Sequence, residues 1–265
     1  MFRQMCVIYA FMRVTDDLGD AGGISFENRQ TRLNNWRAQV TCVFEGRDLD
    51  HPVLKALQDV VQITHIPQEL LQTVIDGVES DLIPRHIQTF PELEEYCYQV
   101  AGAVGLCCLK IWGYETEAAE PLAIDCGTAF QLTNILRDIR EDTVRGRCYL
   151  PKEDLDRFGA TVNGLSRGKM TSEFRVLMEF EVERTWSYYR RALPLLDIVS
   201  PPGRKILSGF FASYSSLLRQ IQVHNYDVFS RRIRLSRWKK LSIAIHSTLG
   251  LSNRFTLPEA APSAS

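Results

Sequence analysis

The sequence predicts an all-α fold, one helical domain built around a central cleft. Apolar residues recur at three- and four-residue spacing in segment after segment, which is the helical period. No β-rich run is present, and no repeat of about 20–50 residues appears. With 265 residues, 45% hydrophobic and 24% charged, the chain is long and apolar enough to bury one sizeable core.

Taken in order, residues 3–20 read as a first helix, stopped by Gly19 and the Gly22-Gly23 pair. Residues 26–45 form a second, with Ser25 as N-cap and Trp36, Val40 and Phe44 on its apolar face. Gly46 to Pro52 is a polar loop. Pro52 opens a third helix at an early position, where a missing N–H is tolerated. Pro67 opens a fourth, from Gln68 to Asp81. Pro91 begins one long apolar helix running to Tyr114. Residues 118–142 make the central helix. Residues 152–168, with Gly159, Gly164 and Gly168, read as loop and a short helix. Residues 171–192 are strongly helical, with Trp186, Tyr188 and Tyr189 in the core. Pro194 and Pro201-Pro202-Gly203 then punctuate, and 204–224 is a further helix. The expected domain covers residues 1–241. Residues 242–265 are a tail, disordered in its Pro/Ala/Ser-rich part from Leu257 to Ser265.

Composition excludes several classes of function. Basic and acidic residues number 31 and 32, a net charge of −1, so nothing drives the whole chain toward nucleic acid. Seven cysteines, Cys6, Cys42, Cys97, Cys107, Cys108, Cys126 and Cys148, include no C-x-x-C pair, so free thiols in a reducing cytoplasm are expected. Five scattered histidines suggest no zinc or copper site. Neither a signal peptide nor an apolar stretch of membrane-spanning length is visible.

The chemistry concentrates in QLTNILRDIREDTVRGRCYLP, from Gln131 to Pro151. At about 100° per residue, Gln131, Asn134, Asp138 and Asp142 fall within roughly 80° of one another. Leu132, Ile135, Leu136 and Ile139 occupy the rest of the helix. A carboxylate stripe is a poor core face, because buried charge must be paired or metal-bound. Oxygen-only ligands suit Mg²⁺, whose shell is completed by water and phosphate. Arg145 and Arg147 follow, and arginine pairs bidentately with phosphate. A second stripe lies near the N-terminus, where Tyr9, Arg13, Asp16 and Asp20 share one helical face. If the two stripes oppose each other, four carboxylates meet across a cleft and demand cations.

These motifs resemble the squalene/phytoene synthase family, the head-to-head prenyl-diphosphate condensing enzymes of the isoprenoid synthase fold. The matching pieces are Arg13-x-x-Asp16-Asp17-x-x-Asp20, Tyr96 to Gly105 (YCYQVAGAVG), the Gln131–Pro151 stretch with its Arg-Gly-Arg-x-Tyr-Leu-Pro tail, and Tyr226 to Arg232. The resemblance runs from about residue 2 to about residue 241, and the second aspartate motif with its tail is its most specific part. The family's preceding helix and its Ser-Phe segment are not among these residues.

The resemblance implies an Mg²⁺-dependent prenyltransferase, with Mn²⁺ as a substitute. Two farnesyl or geranylgeranyl diphosphates would condense to a cyclopropylcarbinyl diphosphate and rearrange to a phytoene- or squalene-type product. Asp16, Asp20, Asn134, Asp138 and Asp142 would hold the metal, with Tyr149 beside the four aspartates in the catalytic set. Tyr9, Arg13, Arg137, Arg147 and Arg232 would bind substrate along with Gln131. Tyr96, Val100, Ala101 and Gly105 would line the prenyl pocket. NADPH is not indicated, as no Gly-rich dinucleotide motif is present. The alternative is a non-catalytic relative acting as a scaffold. A one-substrate terpene cyclase would carry aspartate motifs of another form. Finally, Arg231 to Leu251 joins six basic residues to Trp238 and an apolar run. Peripheral contact at the inner membrane face from the cytoplasm is the matching expectation.

Overall fold

The computed structural model describes residues 1–20, 22–249 and 257–259. Its helices are α1 (Phe2–Gly19), α2 (Phe26–Phe44), α3 (Pro52–Thr64), α4 (Gln68–Ser80), α5 (Phe90–Cys97), α6 (Ala103–Trp112), α7 (Ala119–Val144), α8 (Lys152–Phe158), α9 (Val162–Ser166), α10 (Ser172–Ala192), α11 (Leu195–Ile198), α12 (Pro201–Val223) and α13 (Arg237–Leu249). Among the described residues there is no β-strand, only the isolated bridges His86–Cys148 and Tyr114–Val199. The all-α expectation holds.

Helix α7 is the axis of the bundle. Its most extensive contacts are with α10, and α6 and α12 flank it. Leu132, Ile135, Leu136 and Ile139 are all buried, as their spacing predicts. Thr133 and Tyr189 share a buried hydroxyl hydrogen bond of 2.9 Å that links α7 to α10. A second layer, α1 to α4, packs mainly on itself and meets the axis through α6 and the segment before it.

The long helix expected from Pro91 to Tyr114 is interrupted. Tyr98–Gly102 forms a π-turn between α5 and α6, and the Ala103 N–H reaches back to the Tyr98 carbonyl. Such turns insert one residue and cluster at functional sites. The local reason is close packing. A Cβ on Gly127 of α7 would lie 2.7 Å from the backbone carbon and oxygen of Ala101, so α7 crosses the π-turn backbone to backbone.

Three other expectations are corrected. Pro201 and Pro202 do not precede α12 but form its first turn, where the helix needs no N–H donor. Residues 152–168 contain two short helices rather than one. Within the expected disordered tail, Leu257 packs against the core and the Pro258 carbonyl accepts a 3.0 Å hydrogen bond from Arg190. The remainder of that tail, 260–265, lies outside the described residues, and α13 runs across the expected 241/242 boundary. All seven cysteines are free, four of them buried and Cys6 exposed. No helix among the described residues is long and apolar enough to cross a membrane.

One buried ion cluster joins α8 to α10. Arg184 donates to Asp154 at 2.7 and 3.3 Å and to both Glu181 oxygens at 3.1 Å. Its guanidinium lies 3.9 Å from the Phe90 ring centroid and 4.5 Å from that of Phe180. Two carboxylates share one cation, and burial pushes the Glu181 carboxyl up to about 8. Between about 4.5 and 8 the native state therefore holds a proton that the unfolded chain has lost, and stability falls as pH rises through that window. In denaturant titrations at pH 6 and pH 8, Glu181→Gln should lose less stability than the wild type between the two. Arg184→Met should cost about 3–5 kcal/mol, because it strands buried charge.

Candidate active site

Each aspartate stripe is aimed by what lies behind it. On α1 the back face is anchored in the core. The Thr15 hydroxyl donates to the Phe11 carbonyl at 2.9 Å and accepts from the Trp36 indole N–H at 3.0 Å. A Cβ on Gly19 would fall 2.5 Å from Cγ1 of Val78, so the end of α1 lies tight on α4. Asp16 and Asp20 are thereby turned outward, and both are exposed. On α7 the buried leucines and isoleucines leave Asn134, Asp138 and Asp142 facing the cleft. The helix ends at Val144, and Gly146 takes a φ of 74° that a β-carbon would strain. The chain then returns, with the Arg147 N–H bonded to the Asp142 carbonyl at 2.9 Å. Backbone bonds from Cys148 to Arg85 (3.2 Å) and from Lys152 to Ile87 (2.9 Å) seat Arg147 and Tyr149 in the cleft wall.

Electrostatics divides these acids into two kinds. Asp138 is neutralised: Arg137 donates to it at 2.9 Å through Nε and again through Nη2, and Arg232 approaches at 3.4 Å. Asp20 has Arg147 at 3.6 Å, a bridge across the cleft between the stripes. Asp16 and Asp142 have no salt-bridge partner among the described residues. Desolvation, then repulsion from Asp20, raises Asp16 to about 6. Desolvation, then repulsion from Asp138, does the same to Asp142. Around Asp16, the charges of Asp20, Asp17 and Asp81 add to the desolvation and outweigh the opposing pull of Arg13. The four acids do not close into one cluster. Among the described residues no three His, Cys, Asp or Glu side chains converge tightly enough to enclose a metal ion.

A third carboxylate stands between the stripes. Asp81, just past α4, accepts 2.8 Å hydrogen bonds from the Tyr96 and Tyr149 hydroxyls, one on each oxygen. The two rings stack with centroids 4.9 Å apart, and Arg147 donates to the Asp81 carbonyl at 2.8 Å. Burial raises the Asp81 carboxyl above its ordinary value despite these bonds. Both Asp16 and Asp142 feel its charge. Asp81 was not among the residues singled out from sequence. The acids of α4 look alike there, but Asp76 and Glu79 are tied to Arg37 at 2.6 and 2.7 Å while Asp81 faces the cleft. No sequence signal separates the three.

Beside this polar mouth lies an apolar cavity of about 290 Å³ between α6, α7 and α12. Val100, Ala101 and Gly105 line it, as do Gln131 and Asn134 at its polar end. Tyr96, expected on the same wall, is not among the lining residues: it is buried, with its hydroxyl held by Asp81. Two expected substrate residues are placed less centrally. Tyr9 is 71% exposed, and Arg13 pairs with Asp17 at 2.7 Å on the outer side of α1 rather than with Asp16 or Asp20.

The donor set fits a hard divalent cation bound partly through water or phosphate: oxygen-only, unneutralised at Asp16 and Asp142, and too open to wrap an ion unaided. Similarity to known proteins accords with this geometry. The phytoene synthase of Arthrospira platensis is 35% identical over 247 residues, covering 88% of this chain and 79% of that protein. A dehydrosqualene synthase solved in complex with ligand superimposes with a TM-score of 0.85 at 29% identity, over 95% of this chain and 88% of that one. A squalene synthase from Alicyclobacillus acidocaldarius gives a TM-score of 0.79 at 27% identity, over 84% of each chain. The family model described as squalene/phytoene synthase matches residues 1–239, a span that contains both aspartate stripes and the RGRCYLP tail, and the chain belongs to that family.

Proposed function

We propose that this protein condenses two allylic prenyl diphosphates head-to-head, through a cyclopropylcarbinyl diphosphate, to a phytoene-type hydrocarbon. The observation that carries this reading is the pair Asp16 and Asp142: two carboxylates with raised pKa and no salt-bridge partner among the described residues, on opposite walls, at the mouth of an apolar cavity. The names of the relatives, phytoene synthase first among them, support geranylgeranyl diphosphate as substrate. Farnesyl diphosphate is the second reading, supported by the dehydrosqualene synthase with the same fold.

Asp16, Asp20, Asn134, Asp138 and Asp142 would hold Mg²⁺ or Mn²⁺. The bound cation supplies Lewis-acid neutralisation of the departing diphosphate. Arg137 and Arg232 already stand at Asp138, so a phosphate drawn to that wall meets two guanidinium groups. Arg147 serves the opposite side, beside Asp20. Stabilisation of this kind acts where charge develops, in the transition state. Tyr149 and Tyr96 keep their protons, because burial and the Asp81 charge hold both phenols above their ordinary range. Tyr96 is stacked on Tyr149 with Arg85 over its ring at 5.5 Å, so the outer face of Tyr149 is the π face left to offer to a carbocation, and the cavity keeps water from it.

Incubation with labelled geranylgeranyl or farnesyl diphosphate and Mg²⁺, with analysis of the hydrocarbon product, tests the reading directly. Exhaustive chelation should abolish turnover. Asp138→Asn should lower kcat at least tenfold with little change in thermal stability, and a loss of only a few-fold would remove Asp138 from the ligand set.

The sign of the pH dependence follows from the raised acids. Above about pH 6, Asp16 and Asp142 are ionised, each repelled by its neighbouring carboxylates (Asp20 and Asp138 foremost), and below it each takes a proton that competes with metal. Mg²⁺ with inorganic diphosphate should therefore raise the melting temperature more at pH 7.5 than at pH 5. An equal rise at both would contradict the assignment.

The product is fully apolar and must leave into lipid. On α13, Trp238 is 81% and Leu241 51% exposed, and Arg234, Lys239 and Lys240 are exposed nearby. Reversible attachment to an anionic membrane face through this segment is part of the reading. Co-sedimentation with anionic vesicles should be lost at high salt and weakened by replacing Arg234, Lys239 and Lys240 with glutamine.

A further inference from the structure

The cavity has a direction. Along its α6 wall the lining residues recur every fourth position: Val100 in the π-turn, then Val104, Cys108 and Trp112. The first three are small or medium, and the last is the largest side chain a protein has. On the α7 wall the order runs the other way, from Asn134 and Gln131 near the aspartates, through Gly127, to Cys126 and Ala123. Polar groups therefore mark one end, small groups the middle and Trp112 the other end. Val100 and Trp112 are about 18 Å apart along the helix at 1.5 Å per residue, a span on the scale of a prenyl tail.

The Trp112 end is closed. Trp112 is 8% exposed, Leu207 3%, Ala123 3% and Leu195 1%. The indole is wedged rather than free to swing. A Cβ on Gly203 of α12 would lie 2.4 Å from Cβ of Trp112, so α12 bears directly on the base of this side chain. The Trp112 carbonyl accepts a hydrogen bond from the Ser200 hydroxyl. The indole N–H is buried and has no hydrogen-bond partner among the described residues. Burial of that donor costs free energy that a phenylalanine or leucine at the same place would avoid, so bulk at this position outweighs polarity.

We propose that Trp112 is the chain-length stop of this enzyme: its indole forms the floor against which the last isoprene unit of the prenyl tail rests, and Ala123, on the α7 wall beside Gly105, leaves the room that the tail occupies above it. This inference rests on the prenyl-diphosphate reading given above and adds which residue selects among the tails. Specificity in an apolar pocket amounts to about 10–200-fold per methylene-sized misfit, so one isoprene unit too many should be strongly rejected by an immovable floor.

Two opposite changes test it. Trp112→Ala, and separately the milder Trp112→Phe, lower the floor. Ala123→Leu raises it. Each variant and the wild type are given an equimolar mixture of geranyl, farnesyl, geranylgeranyl and geranylfarnesyl diphosphates with Mg²⁺, and the products are resolved by mass. Relative to wild type, the two Trp112 variants should shift use toward the next longer tail by at least tenfold for alanine and less for phenylalanine. Ala123→Leu should shift it by a similar factor toward the shorter. In parallel, calorimetry with the unreactive thiolodiphosphates of the same four tails should show the same displacement of the preferred length. That measurement does not depend on turnover and applies to whichever variants fold. If the wild type turns over none of the four, the functional reading fails while the calorimetry still judges the floor. If the wild type is active and all folded variants keep its length preference, Trp112 is not the stop. A loss of binding for every tail alike would likewise overturn the inference, since a length stop must discriminate.

Discussion

Two carboxylates held without a direct salt-bridge partner are the constraint on which the rest of this structure depends. Asp16 and Asp142 sit on different helices, partly desolvated, each beside another carboxylate, and both are raised to about 6. A chain selected only for stability would pair or remove them. They persist because the packing behind them is firm. Thr15 ties α1 to Trp36, and Thr133 ties α7 to Tyr189. The bundle bears the repulsion so that a ligand can relieve it.

The same packing produces the cavity. Helices approach closely only where side chains are small. Gly127 brings α7 onto the backbone of Ala101, and Gly105 brings α6 to within 3.0 Å of the Ala123 carbonyl by the measure of a Cβ it lacks. The π-turn at Tyr98–Gly102 absorbs the extra residue this crossing needs. The same small residues, Ala101, Gly105, Ala123 and Gly127, also line the apolar cavity, so close helix contact and open pocket wall come from one set of side chains. Polar mouth and apolar pocket are thus two faces of one helix pair.

Asp81 links the two halves. It fastens the hydroxyls of Tyr96 and Tyr149, and through Arg147 it fixes the return loop after α7. The two phenols and Arg147 favour its charged form, but burial outweighs them and raises its carboxyl as it does those of Asp16 and Asp142. The Arg184 cluster holds the far side of that loop through α8.

What the sequence determined by itself was whatever depends on helical period and local chemistry. The all-α class, the stripes at Asp16/Asp20 and at Asn134/Asp138/Asp142 and the core leucines of α7 all follow from spacing along single helices, whereas the pocket role of Val100, Ala101 and Gly105 came from the family resemblance. The placing of Pro201-Pro202 and the break at Tyr98 did not, since a proline is equally at home before a helix and in its first turn, and a π-turn answers to a neighbouring helix. Tertiary structure alone decided which acids are paired. Arg13 turned to Asp17, Arg232 came from nearly a hundred residues away to Asp138, and Asp76 and Glu79 were claimed by Arg37 while Asp81 was left to the tyrosines. The reason is physical: helical periodicity orients a side chain about its own axis, whereas its charge state is set by whatever the fold brings within a few ångströms of it.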